Sequence, residues 1–187
     1  MPAATRIGGP LNPIQDCYVI IPCEGSDGCE GGEFKLVFNN LPEITDSKSV
    51  SYQDETVIGR ASPLKTYSQS DNRTIAMQIH MIISKPGDAE YNLSALRAIQ
   101  SASYPRDGAN GASFIPPPIC RIRCGRLLST GGELCVILKS YTVKFPTEVS
   151  WDEKNFTPFK FDIETNWDVV YKSSDLPGQE RIFSLGK

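Results

Sequence analysis

Histidine occurs once in the 187 residues, at His80. An imidazole acid–base pair or metal cage needs a second titratable group beside it. His80 lies in NRTIAMQIHMII, opposite the row Ile75, Met77, Ile79, Met81 and Ile83, a position in which a lone strand histidine serves structure. No GxSxG elbow and no GxxxxGK[ST] phosphate loop is present. The glycine clusters EGSDGCEGG and GANGAS lack the strand-to-helix setting that would let them cradle phosphate. Asp162, Glu164 and Asp168 share one side of FKFDIETNWDVVY. Two such carboxylates can serve glycoside hydrolysis, but regular alternation already accounts for them as the polar face of a strand.

Six cysteines, Cys17, Cys23, Cys29, Cys120, Cys124 and Cys135, leave three readings open. They can pack as reduced, small hydrophobes, which a cytosolic redox poise favours. They can form disulfides late, after release from a reducing cell. Cys17, Cys23 and Cys29 can offer three thiolates to a metal, although the close CxxC pairs of zinc and iron–sulfur sites are missing. The residues therefore predict neither an enzyme nor a bound cofactor.

The elements that carry these side chains are mostly strands. EFKLVFN places Phe34, Leu36 and Phe38 on one side, and the row Ile75 to Ile83 repeats that period of two over a longer, interior strand. ICRIRC alternates Cys120, Ile122 and Cys124 against two arginines, and ELCVILKSYTVKF is apolar enough to be covered on both sides. In the last strand Phe159, Phe161, Ile163, Thr165, Trp167, Val169 and Tyr171 face the core. One helix is expected over Asp88 to Ala102, with Asn92 able to cap it and Leu93, Leu96 and Ile99 inside. Ser129-Thr130-Gly131-Gly132 has the small residues of a hairpin turn. About six strands and one flanking helix predict a mainly β, antiparallel barrel or sandwich. Residues 1–32 read as an N-terminal arm with one strand at Tyr18 to Ile21, 33–172 as the β domain, and 173–187 as a C-terminal arm.

Charge and composition narrow the partners. Nineteen basic and 22 acidic residues are mixed along the chain, for a net charge of -3, so no basic stripe is available for tight binding to a phosphate backbone. No apolar run approaches the ~20 residues of a bilayer span. Residues 1 to 13 lack the apolar core of a secretory signal, which predicts a chain kept in the cytosol until it is assembled.

Three blocks together resemble the small tube-initiator and hub-ring proteins encoded among the tail genes of contractile phages and related injection systems. The first, NLPEITDSKSVSYQDETVIGRASPLKTYSQSDNRTIAMQIHM, carries Ile44, Asp46, Ser47, Lys48, Tyr52, Ile58, Gly59, Arg60, Pro63, Tyr67, Ser70, Arg73 and Ile75. The second is LSALRAIQSASYP with PPPICRIRCGRLL, and the third SYTVKFPTEVSWDEKNFTPFKFDIETNWDVV. The likeness runs from about Glu33 to about Val170, and nothing after Trp167 resembles the LysM module that often follows in that family.

The resemblance implies a tail-tube-like β domain in a virion baseplate, assembled in the host cytoplasm as a homo-oligomeric ring of six copies. Its neighbours would be the tail tube protein and the hub and wedge proteins, with DNA present only in transit and no membrane. VIGRASPLKTY reads as an interface loop, giving Gly59, Arg60, Pro63, Tyr67 and Arg73 as boundary residues; an ordinary turn between two strands explains the same glycine and proline. Asp162, Glu164 and Asp168 are then expected to face the channel, where negative charge lets DNA slide. Two other classes remain: a non-catalytic binding module at the tail tip, which needs a cluster of exposed aromatics, and a cell-wall hydrolase.

Overall fold

The alternation of the last strand sets the register of the main sheet. The computed structural model describes residues 17–23, 32–38, 40–56, 58–85, 87–105, 114–125, 127–128, 132–153 and 156–171. In it β11 (Lys160–Val169) lies between β6 (Thr74–Ile82) and β8 (Leu134–Lys144). Phe161 pairs with Met81, Ile163 with Ile79, Thr165 with Met77 and Trp167 with Ile75, and all eight side chains are buried on one face. Thr165 and the indole of Trp167 bring polar atoms into that core. The indole N–H donates to Thr165 Oγ1 at 2.8 Å, and the Thr165 hydroxyl donates to the Met77 carbonyl at 3.2 Å, so neither of these two donors is buried without a partner.

The other strands extend this sheet in the order β2-β1-β7-β8-β11-β6-β3, antiparallel throughout. They are β1 (Cys17–Pro22), β2 (Glu33–Val37), β3 (Glu43–Ser47) and β7 (Cys120–Cys124). Two small sheets stand apart: β4 (Val50–Glu55) with β5 (Leu64–Ser70), and β9 (Trp151–Asp152) with β10 (Thr157–Pro158). The protein is thus mainly β with antiparallel sheets and a single helix among the described residues, α1 (Asp88–Ser101). In the pairings described, β2 and β3 are the two edges of the large sheet.

Four expectations need correction. Residues 1–32 are not all arm: β1 pairs on both sides, with β2 and β7, and Val19 and Ile21 are fully buried, because CYVIIP is too apolar to lie outside a core. β8 is not covered on both sides; Val136 and Leu138 are buried while Cys135, Ile137 and Lys139 are exposed. Asn92 does not cap α1. The helix starts a turn earlier, where Asp88 accepts from the amides of Ser84 and Lys85, and Asn92, Ala95, Leu96 and Ile99 form its buried stripe at helical spacing. The ends of the last core row also differ, since Phe159 is exposed and Tyr171 half-buried. The C-terminal arm, residues 1–16, the GANGAS loop and the Ser129 to Gly131 turn lie outside the described residues.

Tyr91 of α1 closes part of the β2 edge. Its hydroxyl accepts from the Val37 amide at 3.0 Å and donates to the Val37 carbonyl at 3.1 Å. Burial raises the Tyr91 pKa above the ordinary tyrosine value, as it does for Tyr18, where the bond to Glu133 adds to it. Both phenols are therefore protonated in the fold at a pH where unfolded tyrosines ionise, near about 10. The stabilisation is complete below that pH and is lost as pH rises from about 10 through the higher folded values. Urea midpoints measured from pH 8 to 12 should fall beyond pH ~10. Tyr91→Phe should start lower by about 1 kcal/mol, for its lost hydrogen bonds, and decline less steeply.

Candidate functional site

The chain from Ser49 to Asp71 leaves the sheet as a two-stranded ribbon. β4 and β5 pair only with each other in the ladder, and every residue of both strands is exposed. The base is closed by the Asp71 amide donating to the Ser49 carbonyl at 3.0 Å and by Ser49 Oγ donating to the Asp71 carboxylate. On one face Tyr52 stands opposite Tyr67, with ring centroids 6.1 Å apart, and Lys65 pairs with Asp54 at 2.7 Å. Opposite-charge and aromatic cross-strand pairs of this kind add only about 0.2–1 kcal/mol each. They hold register without supplying a core.

The tip of the ribbon is the IGRASP turn, residues 58–63. Gly59 has φ +93, a left-handed conformation that suits glycine, and Ile58 beside it is fully exposed at 105%. Of the residues singled out for a subunit boundary, Gly59, Arg60, Pro63 and Tyr67 are exposed together on this ribbon. Arg73 is elsewhere. Its guanidinium is engaged within the chain, donating from Nε and Nη2 to both Asp46 oxygens and from Nη1 to the Leu128 carbonyl. That bidentate pair ties β6 to the β3 edge and raises the arginine pKa further.

The polar face of β11 is a ladder of cross-strand polar pairs. His80 Nδ1 lies 2.6 Å from Asp162, Lys144 bonds Glu164, and Lys139 lies 3.3 Å from Asp168, which also accepts from Thr74 Oγ1. The same face continues through Arg121, bonded to Glu33 and Glu133. The three carboxylates considered for the channel or for hydrolysis thus each hold a cross-strand partner. Where this face meets the base of the ribbon, a cleft of about 520 Å³ is lined by Lys48, Ser49, Asp71, Thr74, Lys139 and Asp168.

Cys17 and Cys23 are not brought together. Cys17 and Cys23 lie at opposite ends of β1, about 20 Å apart at ~3.3 Å per residue. Cys23 is disulfide-bonded, Cys17 faces Cys124 across the sheet, and Cys29 lies outside the described residues. Among the described residues no group of three metal-ligating side chains is placed to hold an ion, and no helix is long and apolar enough to cross a membrane.

One feature escaped the sequence reading. Phe145, Trp151 and Phe156 form a chain of ring contacts, 6.5 Å and 5.1 Å between centroids, continuing inward from Phe145 to Phe161 at 5.6 Å. Phe156 is 81% exposed and adopts a positive φ of 50, which costs a non-glycine residue free energy. The signal was the aromatic spacing of FPTEVSWDEKNF.

The two arginines should separate cleanly. Arg73→Ala should lower the stability of the isolated chain by about 1–2 kcal/mol in urea denaturation, the range for a partly exposed charge-assisted pair. Arg60→Ala should leave that stability within about 0.5 kcal/mol.

No protein-family model matches the chain, and no curated protein matches it in sequence.

Proposed function

We propose that this chain is a non-enzymatic structural subunit of a contractile-tail baseplate, forming a six-membered ring where the tail tube meets the central hub. The observation that carries the reading is the β4–β5 ribbon, exposed on both faces. A lone two-stranded hairpin is marginal in water, and its open edges are templates for pairing with another chain. A second copy is the natural cover, because heterologous contacts repeated around an axis close a ring. Gly59 and Pro63 shape the ribbon's tip, Arg60 offers a bidentate donor there, and the Tyr52–Tyr67 pair offers aromatic area. The likeness of the ribbon sequence to tube-initiator and hub-ring proteins supports the same reading. The tube protein and the hub and wedge proteins would be its neighbours.

In such a ring the β11 face carrying Asp162, Glu164 and Asp168 would line the channel. Lys139 and Lys144 are occupied by carboxylates of their own sheet. Cations held in this way are less available to the phosphates of passing DNA, whose binding depends on releasing counterions to protein charges. His80 is paired with Asp162 on that face, which supports a structural rather than an acid–base role.

The aromatic row Phe145, Trp151 and Phe156 favours a second reading, a non-catalytic binding module at the tail tip, because an exposed apolar cluster marks an interaction surface. One experiment separates the two. Particles assembled with wild-type, Tyr67→Asp or Trp151→Ala protein are imaged by electron microscopy. The ring reading predicts six copies, with Tyr67→Asp excluded from particles although folded as a monomer. Three copies or one, or normal incorporation of Tyr67→Asp, would overturn it. Normal incorporation of Trp151→Ala with loss of cell-surface attachment would favour the binding module.

A further inference from the structure

Cys17 opens β1 and Cys124 closes β7, and the antiparallel register sets them directly opposite each other. Their sulfurs are 2.9 Å apart, and the residues are 2% and 3% exposed. Directly opposed residues of an antiparallel pair have Cα atoms about 4.5–5.5 Å apart, within the range that a disulfide accepts. No other described cysteine is placed this way. Cys120, on the same face of β7, pairs with Val136, and Cys135 is exposed and opposite Arg121. Just beyond the other end of β1, Cys23 is already disulfide-bonded.

We propose that Cys17 and Cys124 are a cross-strand disulfide site, closed when the reduced chain meets an oxidising disulfide such as oxidised glutathione. The two thiols share a hydrogen bond, which lowers the Cys17 pKa and, together with burial, raises that of Cys124. Either thiol can open the exchange as its thiolate, and in one order Cys17 attacks first. It displaces one glutathione as a thiol and forms a mixed disulfide. Cys124 then attacks the Cys17 sulfur and releases the second glutathione. The two protein thiols lose two electrons and two protons, and the glutathione disulfide gains them to become two thiols. Both cysteines are terminal residues of their strands, so fraying of the strand ends admits the oxidant without unfolding the sheet. The bond would staple β1 to β7 across a sequence separation of 107 residues, and closing so long a loop restricts the unfolded chain strongly.

The test uses the full chain, first reduced and then treated with oxidised glutathione. Peptide mapping without reductant should join the peptide carrying Cys17 to the one carrying Cys124, and the melting temperature should rise by roughly 10 °C. Cys17→Ser should lose the link and show a smaller rise, limited to what re-forming the Cys23 disulfide supplies, whereas Cys120→Ala and Cys135→Ser should keep both effects in full. The proposal is overturned if both thiols alkylate separately after oxidation, if Cys124 links to a different cysteine, or if the rise in melting temperature is as large in Cys17→Ser as in the wild type.

Discussion

A strand inside an antiparallel sheet has two faces and two neighbours, and β11 uses all four. Its inward row stacks layer by layer on β6, from Phe161 on Met81 to Trp167 on Ile75, and its outward row pairs with His80 of β6 and with Lys144 and Lys139 of β8. A slip of one residue would turn both rows over together, exposing the indole and burying three carboxylates. The Trp167–Thr165–Met77 hydrogen-bond chain satisfies the polar atoms that this register carries into the core. β1, β7 and α1 build on the surface this fixes.

The ribbon is the part of the chain that this core does not reach. Its strands carry Ser51, Gln53, Asp54, Lys65, Thr66 and Gln69, which no apolar layer covers. It is anchored at its base through Ser49 and Asp71 and at the neighbouring β3 edge through Arg73 and Asp46. An exposed pair of strands attached to a rigid sheet is well suited to intermolecular contact: the sheet sets its direction, and a neighbour can supply the missing layer. The ring assembly we propose and a folded monomer would then be compatible demands, met by different residues.

The legibility of the chain follows burial. β2, β6, β7 and β11 each have one buried face, so a period of two is written into Phe34 and Leu36, Ile75 to Met81, Cys120 to Cys124 and Phe161 to Val169. β3, β4 and β5 were not read as strands, because a ribbon wet on both sides has no apolar alternation to display. β8 misled in the opposite direction: the run CVIL suggested two covered faces, yet Cys135 and Ile137 are exposed. Asn92 looked like a cap on residue type alone, but helix position is decided by which residues face the sheet. It is buried with both amide atoms unpartnered among the described residues. For the candidate site, glycine and proline at 59 and 63 marked the turn correctly. The internal pairing of Arg73 depends on Asp46, 27 positions away, a contact that no local pattern encodes.

The central claim is that the ribbon is incomplete alone and is covered in the assembly. Hydrogen exchange of the β4 and β5 amides, compared between the isolated chain and the assembled ring, addresses it directly. The account predicts fast exchange from Val50 to Ser70 in the isolated chain, against slow exchange in β6 and β11, and strong protection of the ribbon on assembly. Slow exchange of the ribbon in the isolated chain, or no gain of protection in the ring, would contradict it.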